Sequence, residues 1–255
     1  MASLKSILMS FFALAPLVAG HGAIIAAVGD AGGKGMALGI DPSTPRTGTK
    51  KTPFQVDTTR FRGQAAKTVG QTIQGGANDV EKGTQAILDN TGGSLPQVTA
   101  GGSVKMTLHQ INQDGAGPFS CMINSDAKAT EWTKVNVATN VPGRLGLSRA
   151  TTTDFPLVAS IPAGQTCTGT AAGQNNVCLV RCQNPIGFGG VVPVQMAGGA
   201  GAGAGTGGGN TNTTTTESVK SNKRPLARRY FAKRSDLEND SLEDLEEWQH
   251  DEDDE

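Results

Sequence analysis

Two histidines offer the clearest chemistry in this chain of 255 residues. Of three histidines, His250 lies among acidic residues near the C-terminus, whereas His21 follows an apolar leader and His109 ends a strand-like stretch. If the leader is removed after Gly20, the α-amine and imidazole of His21 can chelate one metal ion together. The imidazole of His109 would complete a T-shaped site of three nitrogens, a histidine brace, and near-planar nitrogen ligands suit copper. We therefore predict one copper ion bound by His21 and His109.

Residues 1–20 have the pattern of a secretory signal peptide. Lys5 supplies the positive charge, and residues 7–18 form an apolar stretch shorter than the about 20 residues that span a bilayer. Small residues then lead to Gly20, where cleavage would expose His21. A membrane anchor is the alternative for this leader, and no later stretch of the chain is apolar enough to span. We expect a secreted mature chain without a membrane span.

The composition favours an all-β fold. Glycine accounts for 35 of the 255 residues and aromatic residues for 4%, which argues against a helical bundle and against a broad aromatic face for crystalline polysaccharide. Between 21 and 196, short strand-like stretches alternate with Gly and Pro turns, so we predict an immunoglobulin- or fibronectin-like β-sandwich with long loops. A short helix is predicted over 78–90, with Asn78 as its cap. The predicted strands are Gly22–Val28, Val98–Gln110, Pro118–Asn124, Trp132–Val137, Leu157–Ile161, Val177–Cys182 and Gly190–Gln195.

The predicted strand Val98–Gln110 positions His109. Every second residue in Val104–His109 is apolar, and alternate side chains of a strand lie on opposite faces. His109 belongs to the polar series, so we expect its ring to point away from the apolar interior. An imidazole on a rigid strand is a usable metal ligand.

The cysteines indicate two disulfides. An even number of cysteines in an oxidising compartment favours disulfide bonds, and three pairings are possible among four residues. A zinc site is the weaker alternative, because its ligands cluster in sequence and only one pair does so here. The four residues are Cys121, Cys167, Cys178 and Cys182.

The chain changes character after residue 196. Residues 197–235 form a Gly-, Ala- and Thr-rich linker with dibasic pairs. These pairs are either cleavage sites for a processing protease or ordinary charged residues in contact with solvent. Residues 236–255 hold many acidic side chains and no Lys or Arg, so we predict a disordered tail. Asn212 and Asn239 lie in N-glycosylation sequons. The folded region is mildly basic and this tail is acidic, so their charges offset each other to a net charge of −1. This balance gives no case for a nucleic-acid partner.

Three stretches of the chain form a more particular set of motifs beside the dipeptide His21-Gly22. They are LHQINQDGAGPFSC (108–121), VCLVRCQNP (177–185) and FGG (188–190). With them, the chain resembles the Egh-type, appressorium-specific secreted proteins of plant- and insect-pathogenic fungi. This resemblance covers residues 1–196 and implies a virulence factor needed for host penetration, acting outside the cell at the fungus–host interface.

The leader, the two histidines and the sandwich are also distantly similar to lytic polysaccharide monooxygenases. Those enzymes usually place a Tyr or Phe at an axial copper position, two residues after a polar group. Alignment on Cys182 puts the axial position at Leu179 and the polar one at Val177, whereas the single Tyr of the chain is Tyr230 in the tail. The other axial or outer-layer candidates are Phe119, Phe155, Phe188, Arg181 and Gln183.

Two functions from different classes follow. The first is a non-catalytic penetration factor that binds copper, with a cell-wall polysaccharide or host surface as partner. The alternative is a copper-dependent enzyme that cuts cell-wall polysaccharide by oxidation. Because the aligned axial position is apolar, copper binding is favoured over oxygen activation. A Ser-His-Asp hydrolase and a paired-carboxylate glycosidase are weaker alternatives, since the chain has no Gly-x-Ser-x-Gly motif and its acids lie in turn-rich stretches. The oligomeric state, and whether some protein stays inside the appressorium, are left open by the sequence.

Overall fold

The computed structural model describes residues 22–47 and 56–198. The predicted signal peptide, His21, the sequons at Asn212 and Asn239, the acidic tail and nearly all of the predicted linker lie outside these residues. Within the described ranges, no helix has the length and hydropathy that a membrane span requires.

Strands dominate the described residues, as the composition predicts. In chain order they are β1 (Gly22–Gly29), β2 (Gly32–Gly35), β3 (Thr59–Arg60), β4 (Gln71–Thr72), β5 (Gly76–Ala77), β6 (Gln97–Val98), β7 (Ser103–Gln110), β8 (Ser120–Asn124), β9 (Thr133–Val135), β10 (Val137–Thr139), β11 (Thr153–Ser160), β12 (Gly169–Ala171), β13 (Gln174–Gln183) and β14 (Phe188–Met196). The first sheet has the order β10-β11-β7-β1-β2. The second has the order β5-β4-β3-β14-β13-β8-β9, with β12 beside β13 and β6 beside β14. The predicted all-β sandwich is confirmed, and its immunoglobulin-like detail stays a prediction.

The main core lies between the two sheets. Val104, Met106 and Leu108 of β7 are at most 3% exposed and pack in one cluster with Val180 of β13 and Val192 of β14. These residues alternate along their strands, so each strand turns one face inward. Complete burial of one such side chain stabilises the fold by about 1.5–3 kcal/mol. This core holds β7, and therefore His109, in a fixed position.

A second apolar cluster covers the outer face of the second sheet. Leu179 of β13 and Val191 of β14 are fully buried there, beneath Ile87 and Leu88 of the helix α1 (Val80–Thr91). The central strands β13 and β14 are therefore buried on both faces.

The helix begins one residue later than predicted. Asp79 is its cap, because the carboxylate of Asp79 accepts the backbone N–H of Lys82 at 2.8 Å. Asn78 instead donates through its side-chain amide to Thr59 and to the carbonyl of Val69. The helix ends at Gly92, whose φ of 84° is the left-handed conformation common after helices.

The predicted strand Trp132–Val137 is two strands in different sheets. Thr133–Val135 pairs with β8 in the second sheet, whereas Val137–Thr139 pairs with β11 in the first. A strand that passes from one sheet to the other closes a corner of the sandwich. The alternation of apolar residues shows which face is buried but not which sheet a residue joins.

Both predicted disulfides are present, and the structure selects one of the three pairings. Cys121 bonds to Cys182 and Cys167 bonds to Cys178. Cys121 and Cys182 are direct neighbours on the paired strands β8 and β13, inside the core between the sheets.

Candidate functional site

His109 lies near the end of β7, between β1 and β11. Ala23 of β1 is directly opposite His109 on one side, and Asp154 of β11 is opposite on the other. Gly22, the first described residue of β1, pairs with Gln110. Because side chains of directly opposite residues lie on the same face, His109 and Asp154 project together from the first sheet.

The imidazole of His109 is held by Asp154. Nδ1 of His109 lies 2.6 Å from Oδ1 of Asp154, so the carboxylate accepts a hydrogen bond in the tautomer that carries hydrogen on Nδ1. The side chain of His109 is 5% exposed and that of Asp154 57% exposed. A carboxylate on one ring nitrogen orients many metal-binding histidines, so Nε2 is the nitrogen of His109 that a metal ion would use.

The predicted direction of the His109 side chain agrees with the burial of its neighbours, but the ring is less accessible than predicted. Val104, Met106 and Leu108 face the core, so His109 faces the outer side of the first sheet. Only 4% of the residue is nevertheless exposed. A ligand would therefore reach a recessed ring.

Close packing holds the start of β1 against a short 3-10 turn at Gln113–Gly115. A Cβ on Gly22 would lie 2.8 Å from the carbonyl oxygen of Gly115, so this contact requires glycine. The side-chain amide of Asn184 donates to the carbonyls of Asp114 and Ala116 at 2.9 Å each and fixes the turn. The glycine that follows His21 therefore has a packing role.

The residues aligned with an axial copper ligand lie on the other sheet. Leu179, Arg181 and Gln183 alternate along β13 with Val180 and Cys182, which face the core between the sheets. They therefore occupy the outer face of the second sheet, whereas His109 occupies the outer face of the first. This placement does not support an axial or outer-layer role for them at His109. Sequence alone could not show this, because a strand buried on both faces lacks polar alternation.

The three phenylalanine candidates also have packing contacts inside the fold. Phe119 and Phe155 pack with the cluster between the sheets, on the core side of the first sheet. Phe188 is 1% exposed, and its ring lies 5.7 Å from the guanidinium carbon of Arg60. These contacts account for the three rings as packing residues.

Arg181 anchors residues 61–68, a segment that lies over the outer face of the second sheet. Its guanidinium carbon lies 4.0 Å from the centre of the Phe61 ring and 5.6 Å from that of Trp132. Nη1 donates to the carbonyls of Ala66 and Thr68, at 2.7 and 3.2 Å. Burial lowers the pKa of Arg181 to about 10, so the side chain is still charged at physiological pH.

Replacement of Arg181 by methionine should lower the free energy of unfolding by about 2–3 kcal/mol, because the carbonyls of Ala66 and Thr68 lose a charged donor and the buried guanidinium loses its ring contacts. Arg62→Met, in the same region but exposed, should change it by less than about 0.5 kcal/mol. Urea unfolding followed by tryptophan fluorescence measures both. Equal midpoints for the two variants would show that Arg181 is not the anchor.

The described residues alone do not supply a complete metal site. Among them, no group of three or more His, Cys, Asp or Glu side chains is arranged to hold a metal ion. His109 could supply one nitrogen, and the other two nitrogens of the predicted brace belong to His21.

Comparison with known proteins identifies the family. Residues 19–191 match the family model described as Egh16-like virulence factor. The chain belongs to the Egh16-like family. This Egh16-like protein is 58% identical over 200 residues to appressoria-specific virulence factor GAS1 of Pyricularia oryzae, covering 77% of the chain and 80% of that relative. It is 40% identical over 121 residues to appressoria-specific virulence factor GAS2 of the same species, covering 43% of the chain and 42% of GAS2. No solved structure matches.

These relatives confirm the resemblance to Egh-type appressorium proteins. Their names support a role for the Egh16-like protein as a virulence factor of a fungal pathogen. The similarity to lytic polysaccharide monooxygenases stays a prediction.

Proposed function

We propose that this Egh16-like protein is a secreted virulence factor of the appressorium that binds one copper ion. The α-amine and imidazole of His21 and Nε2 of His109 are the proposed ligands. The similarity to GAS1 supports the biological role. The observation that supports the metal site is the register of β1 on β7, which pairs Gly22 with Gln110 and Ala23 with His109.

Chain connectivity makes the register informative about His21. Successive Cα atoms are about 3.8 Å apart, and opposite Cα atoms of antiparallel strands are about 4.5–5.5 Å apart. In the proposed site, the Cα of His21 would lie within about 9 Å of the Cα of Gln110, the neighbour of His109. Two imidazoles attached at this separation can share a metal ion.

The proposed donor set fits copper. An amine and two imidazoles are nitrogen donors, and Cu²⁺ has the highest affinity for such sites among the divalent first-row metals. Asp154 would fix the ring plane of His109 and raise the basicity of its Nε2. A bound copper ion would supply one-electron redox chemistry, while His21 and His109 would hold it and Asp154 would orient the ring of His109.

Oxidative cleavage of cell-wall polysaccharide is the second candidate function. The fixed orientation of the His109 ring would suit a metal ligand both in a copper-binding protein and in a copper enzyme. We favour binding without polysaccharide oxidation, because Leu179 packs in the outer cluster of the other sheet. Copper-loaded protein is incubated with a reductant on chitin, cellulose and pectin. Formation of hydrogen peroxide or oxidised oligosaccharides would support the enzyme, whereas no product on any of the three would support the binding protein.

The proposal is tested on protein secreted by a fungal or yeast host. Mass mapping should show a mature chain that begins at His21, and titration should show one copper ion per chain. A matched variant with one alanine added before His21 keeps the imidazole but moves the α-amine, so its affinity should fall more than tenfold. A mature chain with another N-terminus, or equal affinity of both proteins, would contradict the brace.

A further inference from the structure

A tight hairpin presents the two most exposed large apolar side chains among the described residues. Leu145 is 69% exposed and Leu147 52% exposed. The backbone N–H groups of Arg144 and Leu147 each donate to the carbonyl of the other residue, so Leu145 and Gly146 form a two-residue turn. Their φ angles of 54° and 85° are both positive, as in a type I′ turn. We call residues 143–149 the leucine hairpin.

Leucine is an unfavourable choice at the tip of this hairpin. The first central position of a type I′ turn favours Asn, Asp or Gly, because a β-carbon crowds the left-handed conformation. Leu145 adopts that conformation and gains little burial in return, since most of its side chain faces solvent. A residue that suits neither the backbone nor the core indicates a function outside the fold.

The leucine hairpin is held rigidly on the sandwich. The N–H of Gly146 donates to the carbonyl of Gly117, and the N–H of Ser148 donates to that of Gln113, both at 3.0 Å. The hydroxyl of Ser148 also accepts the side-chain amide of Gln110 at 2.8 Å. The leucines therefore project from a fixed backbone, which loses little conformational entropy when they bind.

The charge around the leucines indicates the kind of surface they fit. Residues 141–153 contain Arg144 and Arg149, both exposed, and no acidic residue. The following acid, Asp154, is engaged by His109. Apolar tips beside guanidinium groups suit a surface that offers an apolar layer behind anionic groups, which is the interface of a phospholipid bilayer. A neutral glycan offers neither an apolar layer for leucine nor phosphates for arginine.

We propose that the leucine hairpin docks on a phospholipid bilayer with anionic headgroups. Leu145 and Leu147 enter the boundary between headgroups and acyl chains, while Arg144 and Arg149 bind lipid phosphates. This docking is independent of copper, so metal-free and copper-loaded protein should bind equally.

Vesicle flotation of the full-length secreted protein tests the proposal. The protein should float with vesicles of phosphatidylcholine and phosphatidylserine but not with phosphatidylcholine alone. The double variant Leu145→Asn/Leu147→Ser should lower the vesicle partition coefficient at least about tenfold, because two apolar side chains no longer leave water. Arg144→Gln should lower it about fivefold. Because asparagine suits the turn, the double variant should keep the thermal midpoint of the wild type.

Val28→Ser is the matched control. Val28 is 43% exposed and lies near the C-terminal end of β1, far along the strand from Gly22. This variant should therefore float like the wild type. Three outcomes would overturn the proposal: no flotation of the wild type with phosphatidylserine vesicles, equal flotation of the double variant, or a wild-type dimer that the double variant dissociates. The last result would assign the hairpin to self-association.

Discussion

Replacement of His109 by alanine should weaken Cu²⁺ binding more than tenfold, a loss above about 1.4 kcal/mol. Among the described residues, His109 is the one that supplies a ligand to the proposed site, through Nε2. Asp154 orients its ring. Without the ring, copper keeps only the donors of His21. Competition titration against a chelator of known affinity measures the change.

Two carboxylate variants show whether the effect belongs to this site. Asp154→Asn should weaken copper binding less than His109→Ala, because the ligand remains but its orienting charge is gone. Asp89→Asn removes an exposed carboxylate on α1 and should leave the affinity unchanged. If a folded His109→Ala protein binds copper as tightly as the wild type, His109 is not a ligand.

Loss of the disulfide between Cys121 and Cys182 should destabilise the fold more than loss of the one between Cys167 and Cys178. The first spans 61 residues and the second 11. Loop-closure entropy then gives about 4 kcal/mol for the first bond and about 3 kcal/mol for the second. All four cysteines are at most 6% exposed in the core cluster, so truncation leaves a cavity at either bond and loop length sets the ranking.

The two double alanine variants serve as controls for each other, because each removes one bond and two sulfur atoms. Denaturant unfolding under non-reducing conditions should rank the wild type first, Cys167→Ala/Cys178→Ala second and Cys121→Ala/Cys182→Ala last. The reverse order of the two variants would mean that loop length does not determine the loss of stability.

The strand that carries His109 could be predicted because it is buried on one face only. Alternation over Val104–His109 correctly assigned His109 to the outer face. Its partner Asp154 was missed, because the predicted strand Leu157–Ile161 began four residues late and left Asp154 in a turn. A strand that began at Thr153 would have included Asp154, but its place beside His109 depends on the register of β11 on β7.

Other features depend on contacts between distant segments and leave no local signal. The disulfide pairing required the register of β8 on β13, which four cysteine positions cannot supply. Alignment on Cys182 put Leu179 at the axial position, and because β13 is apolar on both faces, the sequence did not show that Leu179 joins the second cluster. The strained turn at Leu145 was missed because leucine is not a turn residue.

The copper brace is tested most directly by a crystal structure of the copper-loaded protein with diffraction recorded at the copper absorption edge. We predict one anomalous peak about 2 Å from Nε2 of His109 and from the α-amine and ring nitrogen of His21. A peak remote from His109, or no peak in protein that begins at His21, would contradict it.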